Sequence, residues 1–252
     1  MTDSHCHLDF CAEPEAAADP GLTLIATVGT TVERSRQALT LAERFSNVYA
    51  VVGIHPNESY LAQDGAVREA IESLAGHPRV VGIGETGFDS YWDKVPMEVQ
   101  RESFYWHADL ASRRDKPLVL HVRDKKAEDR SAAEAALRLR EVGYGKGILH
   151  CFNGQAELLQ AGSQLGWYVS FAGNLTYKNA HALHATARAL PADRLLVETD
   201  SPFLTPHPKR GQPNRPANVR HVIEFLAALR GEKLDYVEAY TDANAARVYN
   251  LM

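Results

Sequence analysis

About eight times along this chain, a short run of β-branched or apolar residues is followed by a longer segment whose apolar positions recur at helical spacing. That alternation is the signature of parallel βα units, because parallel neighbours in a sheet need a crossover element to carry the chain back. The candidate strands are residues 3–8, 22–28, 48–54, 80–84, 118–122, 147–152, 167–171 and 195–199. Helical periodicity fills residues 33–45, 66–74, 97–114, 127–141, 155–165 and 179–189. Over 216–230 the signals are clearest: Pro216 suits a first helical turn, Val219, Val222, Ile223 and Leu226 share one face, and Gly231 follows as a stop. Eight such units close a (β/α)8 TIM barrel, and an additional C-terminal helix over 235–249 is left to cap or buttress it. The 252 residues show no internal repeat and no compositional break, so residues 1–252 are expected to form one domain.

An apolar barrel interior has to account for every polar group placed in it. His5 and His7 fall on the first candidate strand, Glu85 just after the fourth, His121 on the fifth, His150 on the sixth and Asp200 after the eighth. All six sit at or near strand C-terminal ends, where such barrels gather catalytic groups from distant parts of the sequence. Side chains alternate along a strand, so His5 and His7 point to one side and Cys6 to the other. Two imidazoles so placed can grip one divalent cation. Glu85 has two oxygens with which to bridge a pair of cations, and His121 and His150 complete the second site. Asp200 can bind metal and accept the proton of a shared water. Two cations would lower the pKa of that water and steady the attacked and leaving oxygens of a phosphoryl group, so no serine or cysteine nucleophile is required. The donors suit zinc, manganese and magnesium. Any one of these histidines alone would read as a packed or solvated residue; six groups at one end of a barrel read as a metal site.

Composition and charge narrow the class. Hydrophobic residues make up 45% and charged residues 23%, which suits a globular enzyme and excludes a chain whose main business is disorder. The formal net charge of −5 provides no broad basic field for nucleic acid, so attraction for a polyanion would be local, centred on bound cations. Basic residues gather in the Pro-rich connection 200–215, where Lys209, Arg210 and Arg215 either grip a phosphate backbone or form a solvated loop. Phe88, Tyr91 and Trp92 either stack on unpaired bases or pack against the following helix. The three cysteines, Cys6, Cys11 and Cys151, lack the spacing of a zinc knuckle or disulfide framework, and Cys6 and Cys151 are expected to pack on the face away from the ligands. Neither a basic leader nor an apolar run of about 20 residues is evident, so a cytoplasmic monomer with no membrane role is expected.

Several segments resemble, in order, the motifs of the TatD family of metal-dependent deoxyribonucleases. They are Asp3-Ser4-His5-Cys6-His7-Leu8-Asp9, Gly53-Ile54-His55-Pro56, Gly82-Ile83-Gly84-Glu85-Thr86-Gly87-Phe88-Asp89, Pro117-Leu118-Val119-Leu120-His121-Val122-Arg123, His150-Cys151-Phe152-Asn153-Gly154 and Glu198-Thr199-Asp200-Ser201-Pro202-Phe203-Leu204. The resemblance implies a barrel enzyme that hydrolyses DNA, often from the 3′ end, with a requirement for magnesium, manganese or zinc. It implies the same ligand set, with His55, Asp89, Arg123 and Asn153 lining the substrate pocket and Glu198 standing behind Asp200. Two departures stand out: Arg215 occupies a position where the family usually has glutamate, and His107 one where glutamine is common. Both fall outside the ligand set and so bear on substrate preference.

Two other functions compete. One is a barrel hydrolase acting on a small-molecule amide or phosphoester, since fold does not fix substrate. A carboxylate, Glu85, at the bridging position, where such enzymes often use a modified lysine, favours the TatD reading. The other is a barrel kept as a non-catalytic binding module, which would tolerate a missing ligand; none of the six is missing.

Overall fold

The computed structural model describes residues 1–251. Eight parallel strands follow one another around the sheet in sequence order: β1 (Thr2–Cys6), β2 (Leu24–Val28), β3 (Val48–Val52), β4 (Val80–Asp89), β5 (Leu118–Arg123), β6 (Gly147–Leu149), β7 (Tyr168–Phe171) and β8 (Leu195–Val197). The ladder stops short of joining β8 to β1. Their C-terminal ends close the barrel instead: the Asp200 N–H donates to the His5 carbonyl at 3.0 Å and the His7 N–H to the Ser201 carbonyl at 2.8 Å. Below that seam the buried Asp3 carboxylate accepts the Thr199 N–H at 2.8 Å and its hydroxyl at 2.5 Å.

Helices wrap the outside: α1 (Pro14–Ala17), α2 (Val32–Arg44), α3 (Gly65–Leu74), α4 (Met97–Arg113), α5 (Arg130–Val142), α6 (Ala156–Gln164), α7 (His181–Ala189) and α8 (Val219–Arg230), followed by α9 (Leu234–Val248) at the chain's end. Their apolar faces meet the outward residues of the strands in one continuous core. The inward residues form a second cluster in which Leu24, Ala26 and Val28 alternate along β2 and are joined by Val51, Val81, Val119, Ile148 and Leu196. Ala245, Val248 and Tyr249, at the end of α9, belong to this inner cluster, and the Tyr249 hydroxyl donates to the Ser4 carbonyl at 2.7 Å. The C-terminal helix therefore plugs the N-terminal end of the barrel, leaving the other end open. As expected, Gly231 ends α8 in the left-handed region, at φ 67°.

All eight expected strands are present, with differences at their ends that touch the polar residues: β8 stops at Val197, so Glu198 and Thr199 follow it, and β5 runs on through Arg123. Strand β1 ends at Cys6, so His7 already belongs to the turn that follows. Strand β6 ends at Leu149, immediately before His150. Strand β4 is longer than expected and carries Glu85 within it rather than after it, with a register break against β5 between Ile83 and Thr86. Glycines make that break. Gly84 and Gly87 flank Glu85 at φ +135° and +140°, and a Cβ there would stand 2.5 Å from the Val119 carbonyl oxygen and 2.1 Å from that of His121. Only glycine fits, and the resulting bulge turns the intervening carboxylate toward the barrel axis.

Candidate metal centre

At the open end the six expected ligands converge, and Glu85 is at their centre. Its Oε2 lies 3.2 Å from His5 Nε2 and 3.4 Å from His7 Nε2. Its Oε1 lies 2.8 Å from His121 Nδ1, 3.4 Å from His55 Nε2 and 3.7 Å from His150 Nε2. One carboxylate thus presents a separate oxygen to each of two histidine groups, which is the geometry a bridging ligand needs. Asp200 completes the first group, with Oδ1 3.4 Å from His7 Nε2 and 3.9 Å from His5 Nε2.

Buried polar atoms without partners are rare in a folded chain. Both ring nitrogens of His5, which is 1% exposed, lack a hydrogen-bond partner among the described residues, as does Glu85 Oε2. Ligand atoms of His5, His7 and Asp200 lie within 4.8 Å of one another, and the same holds for His55, Glu85 and His121 and for His5, His150 and Glu198. A donor set of imidazoles and carboxylates with unsatisfied buried atoms fits divalent cations.

What lies behind each ring decides which nitrogen faces inward. His7 Nδ1 donates to the Val28 carbonyl at 2.9 Å, His150 Nδ1 to Glu198 at 3.0 Å and His121 Nε2 to Asp89 at 3.2 Å, which turns the opposite nitrogen of each ring inward, toward Glu85. His55 is arranged the other way. Its Nδ1 accepts the Asn57 N–H at 3.1 Å, so the neutral ring carries its proton on the inward Nε2. Glu198 stands behind His150, not behind Asp200 as the resemblance implied, and also accepts the Cys151 N–H at 2.7 Å.

The electrostatics follow from this packing. Burial opposes ionisation of Glu85, but the charge of His150 and the neighbouring imidazoles of His121, His5 and His55 outweigh it and hold the carboxyl well below its usual range. For His7, burial is outweighed by the hydrogen bond to Asp200 and the charges of Glu85 and Asp200, raising its pKa to about 9. His121 is raised to about 9 in the same way, burial being overcome by Asp89 and Glu85.

The centre forms the floor of a cavity of about 770 Å³. Among residues expected to touch substrate, His55, Arg123 and Asn153 line it. Asp89 does not: it is 1% exposed, with Oδ2 accepting from His121 and Asn57 and Oδ1 from the N–H groups of Tyr91 and Trp92. Lys209, Arg210 and Arg215 lie outside the lining, and Arg210 stacks 4.4 Å over Tyr177. Phe88 is buried against Phe104 and takes the packing alternative. Cys6 packs as expected, but Cys151 is half-buried and lines the cavity, because its left-handed φ of 45° turns the chain just past β6. His107 has no route to substrate: it is wholly buried in α4, where Nε2 accepts the Ile54 N–H. Sequence reasoning missed Phe10, Lys94, Asn174 and Phe203 in the lining. All four follow strand ends, the position that flagged the ligands, but an isolated phenylalanine, lysine or asparagine in a loop carries no chemical signature.

An eight-stranded βα barrel with a histidine and carboxylate cluster at the strand C-terminal ends defines a class, the barrel metal-dependent hydrolases. The profile of the family described as TatD related DNase matches residues 2–250, and the chain belongs to the TatD family. A relative from Mycobacterium tuberculosis, named an uncharacterized metal-dependent hydrolase TatD, is 38% identical over 100% of this chain and 98% of its own length. A Klebsiella pneumoniae protein named 3′-5′ ssDNA/RNA exonuclease TatD is 33% identical over 98% of this chain and 93% of its own. The crystal structure of YJJV, a TATD homolog from Escherichia coli K12, superimposes with a TM-score of 0.88 at 28% identity, covering 99% of this chain and 98% of that one. The chain is thus a metal-dependent hydrolase. Among its described residues, no helix is long and apolar enough to cross a membrane.

Proposed function

We propose that this hydrolase cuts DNA phosphodiester bonds, working as a 3′–5′ exonuclease on single-stranded ends with two divalent cations of magnesium, manganese or zinc. The observation that carries the reading is the placement of Glu85, whose two oxygens each face a separate histidine group. His5, His7 and Asp200 would hold one cation, His121 and His150 the other, and Glu85 would bridge them. Bound there, a pair of cations would make a water acidic near neutral pH and neutralise charge on the phosphoryl oxygens.

The chain's own groups supply the remainder. Asp200, ionised because its interactions with His7, His150 and His5 overcome burial, takes the proton of the attacking water. His55 presents the Nε2–H to the cavity and donates to a phosphoryl oxygen as charge builds on it. Glu198 and Asp89 hold His150 and His121 in the tautomers that leave their inward nitrogens free. Arg123, at the rim, offers a fixed cation to a neighbouring phosphate. The Klebsiella pneumoniae relative, a 3′-5′ ssDNA/RNA exonuclease by name, supports this substrate and polarity.

Hydrolysis of a short single strand labelled at its 3′ or 5′ end, by metal-stripped protein with magnesium, manganese or zinc restored in turn, tests the proposal. Metal-dependent release of the 3′ label as a mononucleotide, with the 5′ label passing down a ladder, supports it. Tight metal binding with no cleavage would move the assignment to a small-molecule amide or phosphoester.

A further inference from the structure

Large apolar side chains left in water are worth explaining when they gather at a cavity. Phe10, Trp92 and Phe203 are 39%, 54% and 51% exposed, and all three line the cavity above the metal centre. They occupy opposite sides. Phe10 and Phe203 follow β1 and β8, whereas Trp92 follows β4, half-way round the barrel. On the first side the two phenylalanine rings lie 6.2 Å apart and each meets the edge of His7, at 5.6 and 6.2 Å. Arg34, tied to Asp9 at 2.8 Å, covers Phe10 at 4.0 Å and holds the ring in place. On the far side Trp92 packs edge-on against Tyr91 at 5.0 Å, Arg123 lies over Tyr91 at 4.0 Å, and Lys94 stands 5.7 Å from the Trp92 ring.

Flat apolar faces interleaved with guanidinium and ammonium groups complement one ligand chemistry: unpaired nucleobases joined by phosphates. A small phosphate ester would use the cations and leave the rings wet; an apolar peptide would use the rings and strand the cations. We propose that Phe10 and Phe203 on one wall and Trp92 on the other clamp the unstacked bases of the strand end being cut, while Arg123 and Lys94 hold the adjoining phosphates. The proposal rests on the DNA hydrolase reading above and deepens it. It gives a physical reason for preferring single strands, because a base held in a duplex has no free face to offer these rings.

The test compares two single strands of equal length on the metal-loaded enzyme, one normal and one whose last two 3′ nucleotides are replaced by abasic tetrahydrofuran residues. The wild-type kcat/KM is expected to be roughly tenfold or more lower on the abasic end, as loss of stacking predicts. Phe203→Ala and Trp92→Ala, both at exposed rings, should lower kcat/KM on the normal strand through KM and shrink the gap between the two substrates. Equal cleavage of both strands by the wild type, or undiminished discrimination in both variants, would overturn the clamp and leave the hydrolase reading standing. Failure of the wild type to cut either strand would remove that reading and the clamp together.

Discussion

The buried imidazole of His107 ties a single proton to the stability of this barrel. It is 0% exposed, its Nε2 accepts the Ile54 N–H at 2.9 Å, and its Nδ1 donates to the Ser103 carbonyl at 2.8 Å. Both bonds require one neutral tautomer. Burial depresses its pKa from 6.5 to about 4, with the Ser103 carbonyl opposing the shift and the Arg68 charge adding to it. Between those two values the unfolded chain binds a proton that the folded one refuses, so the contribution to stability is complete above about pH 6.5 and is lost as pH falls toward 4. A depression of that size corresponds to about 3 kcal/mol. In His107→Gln the amide oxygen accepts the Ile54 N–H and nothing titrates, so this component disappears while the other acid-sensitive groups remain. Urea unfolding of metal-free wild type and variant at pH 7 and pH 4 isolates the difference: the wild type should lose about 3 kcal/mol more than the variant. Equal losses in the two proteins would refute the argument. Because Ile54 precedes His55, His107→Leu should cost about 1–3 kcal/mol through the orphaned N–H and also lower activity at neutral pH.

The bulge at Glu85 predicts that Gly87→Ala will destabilise the fold on the order of 3 kcal/mol, since the new Cβ meets the His121 carbonyl at a positive φ; an unchanged urea midpoint would contradict this. Asp89→Ala removes the acceptor behind His121 and should weaken metal binding about 10–100-fold, measured by competition with a chromogenic chelator, with unchanged affinity as the contrary result. Asp200→Asn should abolish turnover without loss of the folded circular dichroism spectrum, and full activity in that variant would remove Asp200 as the proton acceptor.

The architecture was legible because it rests on periodicity. Strand runs such as 48–54 and the amphipathic face of 219–226 owe their pattern to burial alone; the structure has that strand over Val48–Val52 and the helical face as expected. The ligands were legible because a polar group inside an apolar barrel needs a partner, and a bound cation supplies one to histidines and carboxylates gathered at strand C-terminal ends. Boundaries were harder. Glu85 read as lying past its strand because glycines lower strand propensity, whereas Gly84 and Gly87 in fact extend β4 through a bulge. The inversion of His55 relative to His7, His121 and His150 depends on which backbone group sits behind each ring, and no sequence pattern encodes that. Cys151 shows the same limit, since strict alternation failed where the strand had already ended. His107 was visible as a departure from the family but was assigned to substrate preference, because only the packing shows that its partner is the Ile54 amide.

Central to the whole account is Glu85 as the bridge between two cations, and metal content measured together with turnover tests it most directly. Wild-type protein reconstituted with manganese or zinc should hold two equivalents per chain by elemental analysis and cleave a single-stranded oligonucleotide. Glu85→Gln, nearly isosteric, should lose at least one equivalent together with cleavage. One equivalent in an active wild type, or undiminished cleavage by Glu85→Gln, would contradict the two-cation centre.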